Sequence, residues 1–556
     1  MDSVMTDIWQ QYEKSKNFLS GEQLMAKSEK CHDFVDGEQW KGLVVPKGMD
    51  RPPQMNILQP IMKNATALVG QNSLEIVFSP LNRTAAKERY VQMCEALNKF
   101  VRDTWERLRF DAKVWNILED AYIVGDALVY SFWDLDNGEI KVEFLDNVNV
   151  FYGDENNPEI QEQPYLLIPQ RKYLTDVKAE AATNGLSQEE IDMIVADNNS
   201  EEVNGNTREL ENDTKVTVIT KMWKKDGVVC IARTTRNVVY QPETILKTKD
   251  GAVTMYPIAK YSWKLRKNSA RGAGDIWDKI PNQIEINKGV YRFCQAVKTT
   301  CFPHKLFLEA ALSQDAISKL DVPGSAIGLK NGGSVQGINN LVGYLQPGNL
   351  SPYAAQIWQT LIEQTRALAG AGDNLENINP ENASGTAITA AREAKALNVN
   401  GQVSAYQQFI EELAMIWADL WKAYSVESIT AETVLPDGTT QQIEIPATAF
   451  KDLKPSVRVD LSPKTPFSKY AQEQELKELY LAGKISFEEY VESLDDDSYM
   501  PKQKLKNIIE KRKVGQTNAV SDMQNRDVQT QPEAGAELIG GLGNQYGIQM
   551  PEQTML

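Results

Sequence analysis

Two helical runs on either side of residues 301–350 constrain this chain more than any other feature. The first, "DIWDKIPNQIEINKGVYRFCQAVKTT", repeats apolar side chains at helical steps over 275–300 and carries Pro281 near its start. It stops before Phe302-Pro303, because the residue ahead of a proline avoids the α region. The second, "SPYAAQIWQTLIEQTRALAG", runs over 351–370 with Ser351 as N-cap and Pro352 at the first helical position. Between them lie Gly-, Pro- and Asn-rich residues such as "VPGSAIGLKNGGSVQGINN". The pattern predicts an antiparallel helical pair with a compact module at its tip.

The rest of the chain reads as α+β and predominantly helical. Residues 1–120 are mostly helical, with "PIMKNATALVG" closing on Gly70 and one long periodic run ending at Gly125. Hairpins follow about Asn137-Gly138 and Asp226-Gly227, pairs that favour tight reversals between apolar runs. Residues 183–215 read as a short acidic helix and a polar loop in an exposed insertion. "RGAGDIW", from Arg271, has two close glycines but not the third of a dinucleotide fingerprint; it reads as a flexible joint, with Asp275 capping the next helix. A helical run over 386–424 has a kink expected at Asn398, Asn400 and Gly401. Its stripe of Tyr406, Phe409, Leu413, Ile416, Leu420 and Tyr424 has the spacing of core packing. Strands return over 428–461, and residues 467–512 are helical and acidic.

Chemistry is sparse. With two histidines, His32 and His304, catalysis and metal binding have two possible neighbourhoods. Cys31 and His32 are adjacent and diverge on a helix, and Pro303 separates His304 from Cys294 and Cys301. No phosphate-binding loop is present; "LAGKIS" lacks the first glycine and the hydroxyl. Neither catalytic residues, cofactor-binding residues nor metal ligands are assigned. Five scattered cysteines fit a reducing compartment without a disulfide framework. No apolar run reaches membrane-spanning length, and the charged first residues lack a secretory apolar region. A net charge of −17 argues against tight wrapping of nucleic acid, which needs Lys and Arg to displace counterions.

The stretch "HDFVDGEQW" followed by "RPPQMN" and "IMKNATALVGQN" resembles the N-terminal signature of tailed-bacteriophage portal proteins, the head-to-tail connectors. The resemblance continues through "YIVGDALVYSFWD", "FLDNVNVFYGD", "GAGDIWDKIPNQIEIN", "NASGTAITAAREA" and "SPKTPFSKYAQEQELKELYLAGKIS", in order along nearly the whole chain. Within the motif, Asp36-Gly37 is expected to make a turn while Phe34 and Trp40 pack.

The resemblance implies a portal fold with wing, stem, clip and crown regions. Carried over, residues 1–274 are wing, 275–300 and 351–370 stem helices, and 301–350 clip. Residues 371–384 become the channel loop, 385–425 the long wing helix, 426–466 wing strands, 467–512 crown helices and 513–556 a flexible tail. It implies a homo-oligomeric ring, expected to be a dodecamer, at one capsid vertex of the virion after assembly in the host cytoplasm. Double-stranded DNA passes through the channel during packaging and ejection. Partners would be the terminase large subunit, a head-completion or adaptor protein, and the major capsid or scaffolding protein, with no membrane and no cofactor. Asp373, Asn374, Glu376 and Asn377 are the expected channel-loop contacts, and Lys279, Lys288, Arg292 and Lys298 the candidate DNA-facing cations on the stem. Two rival classes are another virion structural protein, such as a head-tail adaptor, and a cytosolic enzyme with an unrecognised site. Adaptors are normally far shorter, and an enzyme would hydrolyse or turn over a substrate as a pure protein.

Overall fold

The structure, a computed structural model, describes residues 2–42, 52–70, 72–80, 88–197, 214–246, 251–297, 305–307, 313–319, 342–344, 352–370, 397–424, 429–434, 440–445, 455–463, 476–494, 502 and 504–505. The chain divides into two compact units, Met1–Pro463 and Lys464–Leu556. The fold is mixed, with helix making up 55% of the described residues.

The first unit begins with helices α1 (Asp2–Gly21), α2 (Leu24–Asp36) and α3 (Leu58–Gly70). Strand β1 (Asn72–Pro80) follows, then α4 (Glu88–Arg107) and α5 (Phe110–Val124). Two departures from the sequence pattern appear here. The periodic run to Gly125 is two helices, because Arg109 takes a left-handed backbone (φ 49°) that no α-helix continues through. Residues 1–120 were expected to be mostly helical, and no strand was expected among them, yet β1 pairs antiparallel with β14 (Pro455–Pro463), from Asn72 opposite Pro463 to Pro80 opposite Pro455.

Two larger sheets fill the centre. One has the order β3-β2-β9, from β2 (Asp126–Asp134), β3 (Glu139–Leu145) and β9 (Ile258–Ser262). The other has five strands in sequential order: β4 (Phe151–Tyr152), β5 (Tyr165–Tyr173), β6 (Lys215–Lys225), β7 (Val228–Thr234) and β8 (Val239–Ile245). The β6–β7 reversal has Asp226 and Gly227 both at positive φ (53° and 79°), with Lys225 opposite Val228. That is a two-residue type I′ turn, whose twist matches the strands it joins. The β2–β3 hairpin closes instead through four residues, with Asp134 opposite Glu139 and Gly138 at φ 66°.

Between β5 and β6 lie α6 (Leu174–Thr183) and α7 (Gln188–Asp192), the latter the short acidic helix expected within 183–215, with Glu189 and Asp192 exposed. Ser187 and Glu190 form a capping box, and Ile191 and Ile194 are buried with Val177, Ala181, Val216, Val218 and Tyr240. The polar remainder, 198–213, lies outside the described residues.

After β9 come α8 (Ile280–Ala296), β10 (Lys305–Phe307), α9 (Gln314–Lys319), β11 (Val342–Tyr344) and α10 (Pro352–Leu368). Then α11 (Asn400–Tyr424) follows a single 3-10 turn at Leu397–Val399, the point where a kink was expected. Its aromatic stripe is the spine of the core. Trp417 is fully buried, meets Phe110 edge-on at 5.5 Å, and donates its indole N–H to Ser131 Oγ on β2 at 3.0 Å. Strands β12 (Ile429–Val434) and β13 (Thr440–Ile445) pair as a two-stranded hairpin. In the second unit, α12 (Phe487–Glu492) starts on a Ser486–Glu489 capping box, and Tyr490, Val491 and Leu494 are buried around it.

On α5, Asp120 faces His32 of α2 and is raised from 3.8 to about 6, by burial above all, against the opposing pull of His32. An acid that binds its proton more tightly when folded loses stability as pH climbs from the ordinary carboxylate range through about 6. Asp120→Asn should therefore be more stable than wild type at pH 7, by roughly 2 kcal/mol, with the gap closing by pH 4. Urea melts at both pH values measure it; an equal gap at both would remove Asp120 as the cause.

Candidate functional site

The two stem-like helices pair as the sequence predicted. Asn282 Nδ2 on α8 donates to Thr365 Oγ1 on α10 at 3.2 Å, and seven residues further along α8, Gly289 approaches Trp358, seven residues back along α10. Contacts that advance on one helix and retreat on the other define an antiparallel pair. A Cβ at Gly289 would sit 3.3 Å from Trp358 Cβ, so the absent side chain sets how closely the helices approach. Tyr353 and Ile357, one turn apart on α10, are largely exposed (74% and 71%), as is Leu368 (79%).

The base of this pair is held by the "DGEQW" and "PQMN" segments. Gly37 ends α2 at φ 95°, and both its N–H and that of Glu38 donate to Asp33 O, the left-handed ending that glycine tolerates. Gln39 is thereby turned inward and is fully buried. Its Nε2 donates to Phe34 O at 2.8 Å, and its Oε1 accepts from Asn287 Nδ2 at 2.7 Å. Asn287 Oδ1 accepts in turn from Met55 N and Gln283 Nε2. Gln283 also donates to Met55 O at 2.7 Å and accepts from Ile57 N. Asn56 caps α3 through Leu58 N and Gln59 N and donates to Val35 O. Four neutral amides thus clasp α2, the irregular segment 52–57 and α8 together. Phe34 is buried as expected, and Trp40 is half-buried. Of the acids around them, Asp33 joins Glu29 in holding Lys41 at the surface.

The segment ahead of α8 was expected to be a flexible joint; it is instead tied down at Arg271, Gly272, Ala273 and Asp275. Arg271 is 5% exposed and bonds Asn147 O, Val150 O and both Glu155 carboxylate oxygens. Gly272 N–H donates to the Asp126 carboxylate. A Cβ on Gly274 would lie 2.4 Å from Ile123 O, and one on Gly125 (φ 115°) would lie 2.8 Å from Gly272 O. Backbones this close admit only glycine. Asp275 does not cap α8, whose N-terminal flank is Lys279 after a 3-10 turn at Trp277–Lys279. It accepts instead from Tyr122 Oη at 3.0 Å and pairs with Lys264 and Lys279. Burial pushes the Asp275 carboxyl up, but the two lysines outweigh burial and the net shift is downward.

Of the expected stem cations, Lys279 is 8% exposed and held 2.6 Å from Asp275, inside the fold rather than on a free face. Lys288 is half-buried and pairs with Glu285 at 2.7 Å, and Arg292 is exposed one turn on. Lys298, and the loop residues Asp373, Asn374, Glu376 and Asn377, lie outside the described residues, as do Cys301 and His304. Among the described residues no three His, Cys, Asp or Glu side chains are grouped to hold a metal ion. Burial pushes the Cys31 thiol up to about 12, the opposite of an activated nucleophile. Gln283, Asn287, Arg271 and Asp126 were not marked by sequence reasoning. Their one signal was membership of the motifs that surround them.

A family model described as phage P22-like portal protein matches residues 19–539 of the chain. No curated protein matches it.

Replacing Asn287 with Leu strands the Gln39 carbonyl oxygen and Met55 N–H without partners. At about 1–3 kcal/mol per buried orphan, Asn287→Leu should cost roughly 2–4 kcal/mol and speed amide exchange at Met55 and Ile57. Exchange that accelerates uniformly across the chain instead would show that the clasp is not a local fastening.

Proposed function

This chain belongs to the phage P22-like portal protein family, and we propose on that premise that α8 and α10 form the stem lining its DNA channel. As a phage portal protein it is part of the virion, where it serves DNA packaging and connects head to tail. The observation that carries the stem assignment is the antiparallel α8–α10 pair, fastened at one end and bearing residues 301–350 at the other.

On this reading the module at 301–350 is the clip, where the terminase large subunit and later the adaptor protein dock. Residues 1–274, 385–425 and 426–466 form the wing against capsid or scaffolding protein, 371–384 the channel loop, and 467–512 the crown. The subunits close into a ring of twelve. Exposed Tyr353 and Ile357 on α10 fit a face that a neighbouring subunit covers, since large exposed apolar side chains in a row mark contact surfaces. The clasp and the locked joint keep the stem's base fixed while DNA moves past it.

Charge supports a conduit that passes DNA without gripping it. With 76 Asp and Glu against 59 Lys and Arg, a net charge of −17 opposes tight binding of phosphates. On α8 the cations are half-buried Lys288 and exposed Arg292, one turn apart, and Glu285 already half-neutralises the pair. They are proposed to give weak, salt-screened contacts to the backbone.

The double variant Lys288→Glu/Arg292→Glu should therefore assemble normally but package less DNA per head, with the deficit shrinking as salt is raised. Packaged length in an in vitro packaging reaction measures it. Wild-type packaging by assembled variant rings would remove these two residues from the channel wall.

A further inference from the structure

The register of the three-stranded sheet leaves one strand edge open. Ser131 N–H on β2 donates to Pro257 O just ahead of β9, so odd-numbered β2 residues point their backbone groups at β9 and even-numbered ones at β3. The even residues Asp134, Phe132, Tyr130 and Leu128 face Glu139, Lys141, Glu143 and Leu145. Because backbone direction alternates along a strand, Ile140, Val142 and Phe144 must direct theirs away from the sheet. Arg107 confirms the parity independently, since its Nη2 reaches Ile140 O from outside at 2.7 Å. Arg107 also pairs with Glu139, which covers the first end of the edge. Among the described residues, Val142 and Phe144 have no strand beside them on that side.

This edge borders a cleft of about 720 Å³ between β3 and the five-stranded sheet, lined by Tyr130, Phe132, Phe144, Gln170 and Arg233. That volume suits a stretch of extended chain rather than a whole domain. Phe144 (37%) and Leu135 (77%) stand exposed on its wall. Open edges are normally guarded by a lysine, but Lys141 is drawn back along the hairpin by its ion pair with Asp134.

The chain also carries a strand to which a neighbour could add. The β12–β13 hairpin is a sheet of two strands only, six residues each; packing on a helix supports such a pair, and a third strand would add to it. β12 lies against α4, and β13 has β12 as its one strand partner among the described residues. A socket and a plug on different surfaces of one chain make a head-to-tail contact, the kind that closes into rings.

We propose that β13 of one subunit adds to the open edge of β3 in the next, so that strand addition joins neighbouring copies. This rests on the portal reading, because it needs a ring to place the two elements side by side. The occupant is a second copy; a strand from another protein is the alternative that the test separates.

The test mixes full-length chain carrying Phe144→Cys with full-length chain carrying Gln442→Cys, assembles the mixture, and oxidises it mildly. The expected result is a disulfide between copies, identified by mass as a 144–442 peptide pair, in most adjacent mixed subunits. A second variant guards against a chance collision. Val142→Pro removes the outward N–H without touching the β2–β3 ladder and should cut ring yield several-fold, whereas Val142→Ala, which loses the core packing but keeps the N–H, should assemble like wild type. Rings that form without the 144–442 link, and with Val142→Pro as efficient as wild type, would overturn strand addition and leave the portal reading standing. Cross-linked dimers that never close would support strand addition and count against the ring.

Discussion

Four amides, three of them fully buried and Asn56 half-buried, decide where the helical pair stands. Gln39, Asn56, Gln283 and Asn287 each bond backbone or one another, and through them the end of α2, the start of α3 and the first turns of α8 become one fastening. A neutral amide suits this position. It satisfies backbone groups on three segments at once, and burying it carries none of the desolvation cost of a charge. Each bond contributes only about 1 kcal/mol net, but losing one partner leaves another buried and unpaired, so the network holds or fails as a unit.

The second constraint is closeness. Gly125, Gly272 and Gly274 let the end of α5 and the segment before α8 touch backbone to backbone, and the Asp126 carboxylate then accepts Gly272 N–H directly. Arg271 and Asp275 close the two sides with ion pairs to Glu155 and to Lys264 and Lys279. The consequence is mechanical. The α8–α10 pair is rooted in the core rather than hung on a hinge, which suits the stem role proposed for it.

Much of this could be read from the sequence where local chemistry decides the outcome. Asp226-Gly227 specified its turn type, the 406–424 stripe specified a buried face, and the run of α8 and α10 about a Gly-rich module specified an antiparallel pair. The legible features share short range. The β1–β14 pairing joins residues at opposite ends of the first unit, and "NSLEIVFSP" carries no mark of its partner. The break at Arg109 was hidden because a left-handed arginine leaves no compositional trace. "RGAGD" looked flexible because glycine permits both freedom and close approach, and only Asp126 and Ile123 decide between them. The clasp was hidden for a similar reason: Gln and Asn are surface residues by default, and nothing in their spacing says they turn inward. Of the expected stem cations, Lys279 proved to be internal, because its partner Asp275 is four residues away on the same turn.

The central claim is that the α8–α10 pairs of many copies surround a passage for double-stranded DNA. Electron microscopy of the assembled chain, with class averages of end-on views and a reconstruction deep enough to trace helices, tests it directly. Rings of twelve with an axial hole wide enough for a duplex, walled by α8 and α10, are the expected result. Closed particles without an axial channel, or rings in which α8 and α10 face away from the axis, would contradict it.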